Sequence, residues 1–452
     1  ASLPAAVEQE LQRAHIPAQA LVAVVRAVGN DRNRLAVRAQ EPVNPASLAK
    51  LFTTAAALDV LGPAWTWSTP VWLVGPVRDG VLDGSLHIRG SGDPTLVLER
   101  IWLLLRRVQQ LGVREIRGDI VLDGSAFAKA TAEPADFDGE ALRPYNALPE
   151  ALLLNYKSAV YTFVPDAKAG VARVLVEPPL AGVQVDRTVP LAAGPCGDWR
   201  AALGARLGEP ARVRFAGSYP GRCGENTWPV ADAQPATYNA RLLAGLWHEM
   251  GGRLAGVVRE GAAPAGLPPS FEQRSLPLLE VVRQINKYSN NLIAQQLFLT
   301  LALQQDPALP ASAAAARELL RGWVSARLGE PGAEFVLDNG SGLSRQTRVS
   351  ARLLARLLQH VLEGPDAAEF ISSLPILGVD GTLRRAQTPA GRAHLKTGSL
   401  KDVTGLAGTV LSDSGRRYLV VAIVNHPQAA AARPALLALV QWVMRDAPES
   451  RP

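Results

Sequence analysis

Residues 44–58 read NPASLAKLFTTAAAL. Asn44-Pro45 interrupts the chain, and from Ser47 onward the Ala/Leu content and spacing predict a helix that ends before Gly62-Pro63. The segment is apolar on nearly every side, with Ser47, Lys50, Thr53, Thr54 and Asp59 as the exceptions, so the helix belongs inside a domain. Its lysine stands out. Arginine outnumbers lysine 40 to 7 in this chain, and only lysine can become a neutral amine, because a guanidinium stays charged.

Positions i and i+3 share a helix face, so Ser47 and Lys50 can meet if Ser47 lies in the first turn. A serine hydroxyl is a poor nucleophile without a base to take its proton. A lysine in apolar surroundings loses several pK units by desolvation and can be that base. The same four residues also suit a helix-capping serine followed by a lysine that extends to solvent. The pattern alone does not separate these two readings.

Moving outward, residues 20–39 hold two Val/Leu-rich runs around Gly29-Asn30-Asp31, a hairpin signal. The far end of the chain, "AHLKTGSL", "DVTGLAGTVLS" and "RRYLVVAIVN", predicts a three-stranded antiparallel meander, followed by a helix from about Ala432 to Asp446. Hairpin and meander can form one sheet if the two ends of the chain belong together. Between them the texture changes to short strand-like runs separated by Gly, Pro and Asp-Gly turns, with one clear helix in "TLVLERIWLLLRRVQQLG". A proline cluster at 261–270 marks its far boundary. These features predict an α+β protein in three parts: 1–67 and 271–452 as the two halves of one domain, and 68–270 as an inserted β-rich region, itself two nested domains.

Two further elements carry chemistry. In "KYSNNLIAQQL" Ser289-Asn290-Asn291 fits S-x-N at the start of a helical run, where a second hydroxyl can relay a proton and Asn291 can orient the lysine. Tyr288 offers a phenol as an alternative relay, and Ser and Asn before a helix are also ordinary caps. In "LKTGSL" Lys396-Thr397-Gly398 falls on a strand. There Gly398 permits close approach of a ligand backbone, and a peptide can add along the strand edge by main-chain hydrogen bonds. Lys396 would supply positive charge, while Thr397 and Ser399 would offer hydroxyls to a terminal carboxylate. The bland counterpart is the polar outer face of an exposed strand.

S-x-x-K, S-x-N and K-T-G in this order are the set used by penicillin-binding proteins and class A β-lactamases. Together with "DNGSGLSR" (338–345), "LGVDGTL" (377–383), "HLKTGSLKDVTGLAG" and Gly92-Asp93-Pro94, they make the chain resemble the class C low-molecular-mass penicillin-binding proteins. These are D-alanyl-D-alanine carboxypeptidases and endopeptidases of the cell envelope. The resemblance implies a β-lactamase/transpeptidase-like domain, an antiparallel sheet flanked by helices, interrupted by a large insertion with a smaller nested domain. It also implies that Ser47 attacks the carbonyl between two D-alanines with Lys50 as base, that the amides of Ser47 and Ser399 hold the oxyanion, and that Ser289 protonates the leaving amine. The implied partners are peptidoglycan stem peptides, with β-lactams as covalent inhibitors. Two positions depart from the family pattern: Asn290 stands where Asp is usual, and Ala386 where an arginine is expected.

Composition limits the alternatives. An apolar fraction of 48% with 19% charged residues describes a folded protein, and no apolar run reaches the eighteen residues of a spanning helix. A net charge of +6 spread thinly over 452 residues gives no nucleic-acid footprint and leaves peripheral membrane association open. The first residues lack a signal sequence, so a secreted, periplasmic or envelope location presumes one already removed. Cys196 and Cys223 suit one disulfide in an oxidising compartment, or two buried thiols. Neither a metal nor a cofactor is expected: His248-Glu249 lacks the second histidine of H-E-x-x-H, G-x-S-x-G is missing, and the glycine-rich spots do not form G-x-G-x-x-G. A serine β-lactamase and a catalytically inactive wall-binding protein of the same fold are the competing readings.

Overall fold

The structure is a computed structural model that describes residues 2–387 and 390–446. The chain forms two units, Ala1–Thr66 joined with Leu276–Pro452, and Trp67–Ser275.

In the first unit the hairpin strands Leu21–Ala27 and Asn33–Val37 join the meander strands Ala393–Leu400, Val403–Leu411 and Arg417–Asn425. All neighbours are antiparallel, and the order is Asn33–Val37, Leu21–Ala27, Arg417–Asn425, Val403–Leu411, Ala393–Leu400. The first and last parts of the chain therefore share one sheet through Leu21↔Val424 to Ala27↔Tyr418. Alternate residues of these strands, among them Leu21, Ala23, Val25, Val420, Ala422 and Val424, pack with Val7, Leu11, Leu436, Leu439 and Val443 of the terminal helices Ala5–Arg13 and Arg433–Met444. The intervening residues of Arg417–Asn425 are buried as well, and the helix Ala351–Leu362 lies against that strand. Burial on both faces explains why this strand reads as a continuous apolar run instead of an alternating one. Ala393–Leu400 is an edge strand of this sheet, and on its outer side Ala393 O accepts from Leu377 N and Leu395 N donates to Pro375 O, both at 2.9 Å.

The second unit begins and ends side by side, since Ser68–Val74 pairs antiparallel with Phe271–Arg274, and Trp67 N donates to Ser275 Oγ at 2.9 Å. This closing strand follows the proline cluster, so the unit runs past residue 270 to Ser275. It contains two apolar clusters. One lies between the sheet Val258–Glu260, Ile120–Asp123, Ser85–Arg89, Ser68–Val74, Phe271–Arg274 and the helices Leu98–Gln110 and Pro235–Glu249. The other is built on Ser158–Asp166 and its neighbours, where Phe163, Phe215 and Tyr219 pack ring against ring. Cys196 and Cys223 form a disulfide in this region. Among the described residues no helix is long and apolar enough to cross a membrane.

Candidate active site

The S-x-x-K segment does not begin as an α-helix. Ala46–Ala49 is a 3₁₀ turn that runs into the α-helix Lys50–Leu61. In 3₁₀ geometry side chains three apart eclipse, which stacks Lys50 on Ser47 and leaves Lys50 Nζ 2.7 Å from Ser47 Oγ. The turn is held by its surroundings. Ala46 has φ +48, a conformation rare without glycine, and Asn44 Oδ1 accepts its N–H at 2.9 Å. Asn44 and Asn425 exchange bonds in both directions, Asn44 N to Asn425 Oδ1 and Asn425 Nδ2 to Asn44 O. Gly342, at φ +81, passes so close that a Cβ there would lie 1.8 Å from the Ala46 carbonyl.

Lys50 is fully buried. Its amine faces Ser47 Oγ, Asn291 Oδ1 at 2.6 Å and the Ser341 carbonyl at 2.7 Å. A neutral amine has two N–H donors and one lone pair. The amide oxygen and the carbonyl can only accept, so they take the two donors and leave the lone pair facing the serine hydroxyl. Burial, reinforced by the charge of Lys396, holds the Lys50 amine well below the ordinary lysine range. This environment favours the neutral form.

The S-x-N residues occupy a break between helices, where the sequence suggested the start of one. Ser289 ends the helix Leu278–Tyr288 in the left-handed region, at φ +58, and Asn291 opens the helix Asn291–Gln305. Asn290 is its cap, accepting from Ile293 N at 2.9 Å. That explains the tolerated departure from Asp, since both side chains cap well. Ser289 Oγ accepts from Lys396 Nζ at 3.0 Å, whereas Tyr288 is 69% exposed. The hydroxyl, and not the phenol, therefore stands beside the second lysine.

Lys396 lies on the edge strand yet is fully buried, its amine also donating to the Thr397 carbonyl at 2.7 Å. Burial lowers its pKa to about 7, so near neutrality its charge is partial, unlike the fixed cation the sequence suggested. Gly398 crosses the Ala46–Ala49 turn, where a Cβ would meet Pro45 O at 2.8 Å and Ser47 N at 3.3 Å. Only glycine lets the strand pass this near. Ser399 is exposed at the strand's outer end. Thr397 Oγ1 lies 2.6 Å from Thr382 Oγ1. Thr382 belongs to "LGVDGTL", a stretch whose residues received no role from sequence reasoning. Ala386 packs against the terminal-helix core, and the neighbouring Arg384 and Arg385 are exposed.

Two hydroxyl–lysine pairs, Ser47 with Lys50 beside the glycine of an edge strand and Ser289 with Lys396 of that strand, define a serine acyl-transfer site on a sheet flanked by helices. The chain belongs to the D-Ala-D-Ala carboxypeptidase 3 (S13) family, which it matches over residues 3–445. It is 30% identical over 439 residues to a D-alanyl-D-alanine carboxypeptidase of Actinomadura, covering 90% of this chain and 79% of the relative. It is 26% identical over 394 residues to the carboxypeptidase DacB of Haemophilus influenzae, covering 84% and 80%. The fold superposes on the crystal structure of penicillin binding protein 4 (dacB) from Haemophilus influenzae with a TM-score of 0.75 at 22% identity, over 96% of this chain and 99% of that one. A penicillin G-acylated predatory endopeptidase from Bdellovibrio bacteriovorus shares the fold at a TM-score of 0.57 and 15% identity. The chain is thus a class C low-molecular-mass penicillin-binding protein and a serine-type carboxypeptidase by family.

Proposed function

We propose that the protein cleaves the D-alanyl-D-alanine bond of peptidoglycan stem peptides and/or D-alanyl cross-links through an acyl-enzyme on Ser47. The observation that carries this reading is the Lys50 amine, buried among neutral oxygens with its lone pair free for the Ser47 hydroxyl. Ser47 Oγ gives its proton to Lys50 and attacks the carbonyl carbon. The amides of Ser47 and Ser399 receive the oxyanion, an interaction whose loss typically costs about 10²–10³ in rate. The C–N bond breaks as the leaving amine takes a proton through Ser289, from the Lys50/Lys396 pair. Water then opens the ester and restores the serine. Asn291 holds the lysine and the substrate amide, and Thr397, Gly398 and Ser399 receive the peptide along the strand. The substrate assigns the protein to the cell envelope, where Cys196 and Cys223 can remain oxidised.

The test is intact-protein mass spectrometry after penicillin G. One adduct on Ser47 that persists, with release of D-alanine from a pentapeptide, is expected. Rapid turnover of the penicillin would make the protein a β-lactamase instead. A Ser47→Ala variant that still releases D-alanine would end the serine mechanism.

A further inference from the structure

Four of the seven lysines are buried: Lys50, Lys157, Lys287 and Lys396. Lys287 has no part in the chemistry above, yet it stands two residues before Ser289. Its Nζ donates to Asp380 Oδ2 at 2.7 Å, and Asp380 Oδ1 accepts the Ile376 amide at 2.7 Å. Gly381, at φ +57, lies against the backbone of the same lysine, where a Cβ would be 2.4 Å from the Lys287 carbonyl. The short turn Gly381–Leu383 then presents Thr382 to Thr397 at 2.6 Å.

These contacts close a ring. From Lys287 the chain leads to Ser289, which accepts from Lys396; Lys396 is bonded to Thr397 covalently and through its amine. Thr397 meets Thr382, and two residues back Asp380 returns to Lys287. Cutting the ion pair removes the charged link between the turn and the helix that ends at Ser289, leaving the backbone contact of Gly381 with Lys287. The hydroxyl pair has a direction as well. A hydroxyl has one proton, so when Thr382 donates to Thr397, the Thr397 proton is left for a substrate carboxylate.

We infer that Lys287 and Asp380 are positioning residues for the acyl transfer. Their ion pair closes the ring that sets Ser289 against the Lys396-Thr397-Gly398 strand, and Thr382 within it aims the Thr397 hydroxyl at the substrate's terminal carboxylate. This rests on the proposed function, because the ring matters only if Ser47 is acylated.

The experiment measures second-order acylation of the full chain by penicillin G and by its methyl ester, which lacks the carboxylate. Asp380→Asn keeps the acceptor for Ile376 and removes the charge; Lys287→Met removes the cation at similar length. Both are expected to slow penicillin G acylation by about 10–100-fold, the order that small misplacements of reacting groups produce. The double variant is expected to be no slower than the worse single one. Thr382→Val is expected to lose about tenfold with penicillin G and less than threefold with the ester, a split that a merely structural role would not give. If Lys287→Met is insoluble, the nearly isosteric Asp380→Asn decides the matter alone. If the parent is acylated and Asp380→Asn reacts within twofold of it, the inference is wrong; equal losses with acid and ester in Thr382→Val, or additive losses in the double variant, also overturn it. A parent that penicillin G does not acylate defeats the underlying reading itself.

Discussion

Lys50 in the first unit and Lys157 in the second are both almost wholly enclosed, and they differ in what meets the amine. Lys157 Nζ lies 2.7 Å from a Glu150 carboxylate oxygen and donates to the Pro235 carbonyl at 2.6 Å. Lys50 faces three neutral oxygens and, farther off, another lysine. A buried cation with a carboxylate beside it is a structural pair, whereas a buried amine among neutral acceptors is driven to give up its proton. Enclosure alone does not make a base. The missing counter-charge does.

The strongest way to break this contrast is Lys50→Arg. The guanidinium cannot accept the serine proton, so acylation by penicillin G should fall by at least about 10²–10⁴-fold, measured by stopped-flow or quenched mass spectrometry; retained acylation would mean that another group is the base. In the second unit, replacing Cys196 and Cys223 by alanine should cost about 3 kcal/mol of that unit's stability through the lost loop constraint. A lower melting transition with acylation within twofold of the parent is the expected result. Lys157→Met should behave likewise on a smaller scale, about 1–3 kcal/mol from the lost ion pair with Glu150 and the lost hydrogen bond to the Pro235 carbonyl. A loss of acylation there would erase the distinction between the two lysines.

A further effect concerns pH. Lys396 has a folded pKa of about 7 against the ordinary lysine value of 10.5. The unfolded chain therefore binds more protons between these values, and stability should rise with pH across that window and level off above it. The lysine is least favourable to the fold below pH 7, where it is charged in both states. Thermal scans from pH 6 to 10.5 should show this rise in the parent and a weaker one in Lys396→Met. Equal slopes would place the lysine amine in contact with solvent.

Much of the first unit was legible in the residues themselves. The paired hairpin and meander follow from strand runs of ordinary length separated by turns. The three motifs announced themselves because a serine, a lysine and a glycine in those spacings have few joint uses. Other features were not legible for physical reasons. Ser289 reads as part of a helical stretch, because neither its composition nor its spacing reveals a left-handed residue between two helices. The 3₁₀ start at Ala46 depends on Asn425 and Gly342, hundreds of residues away. Lys287 did carry a signal, a rare lysine on an amphipathic helix two residues before Ser289, but its meaning waits on Asp380, 93 positions later. The closing strand Phe271–Arg274 was hidden behind prolines, which mark turns as readily as domain ends.

The sequence by itself determined which side chains could do acyl-transfer chemistry and that the two ends of the chain could share a sheet, since residue identity and period are local properties. Tertiary structure alone decided that Lys50 and Lys396 are enclosed with depressed pKa values while Lys157 and Lys287 are matched by carboxylates. An amine's protonation is set by every group within a few ångströms of it, and those groups arrive from distant parts of the chain only when it folds.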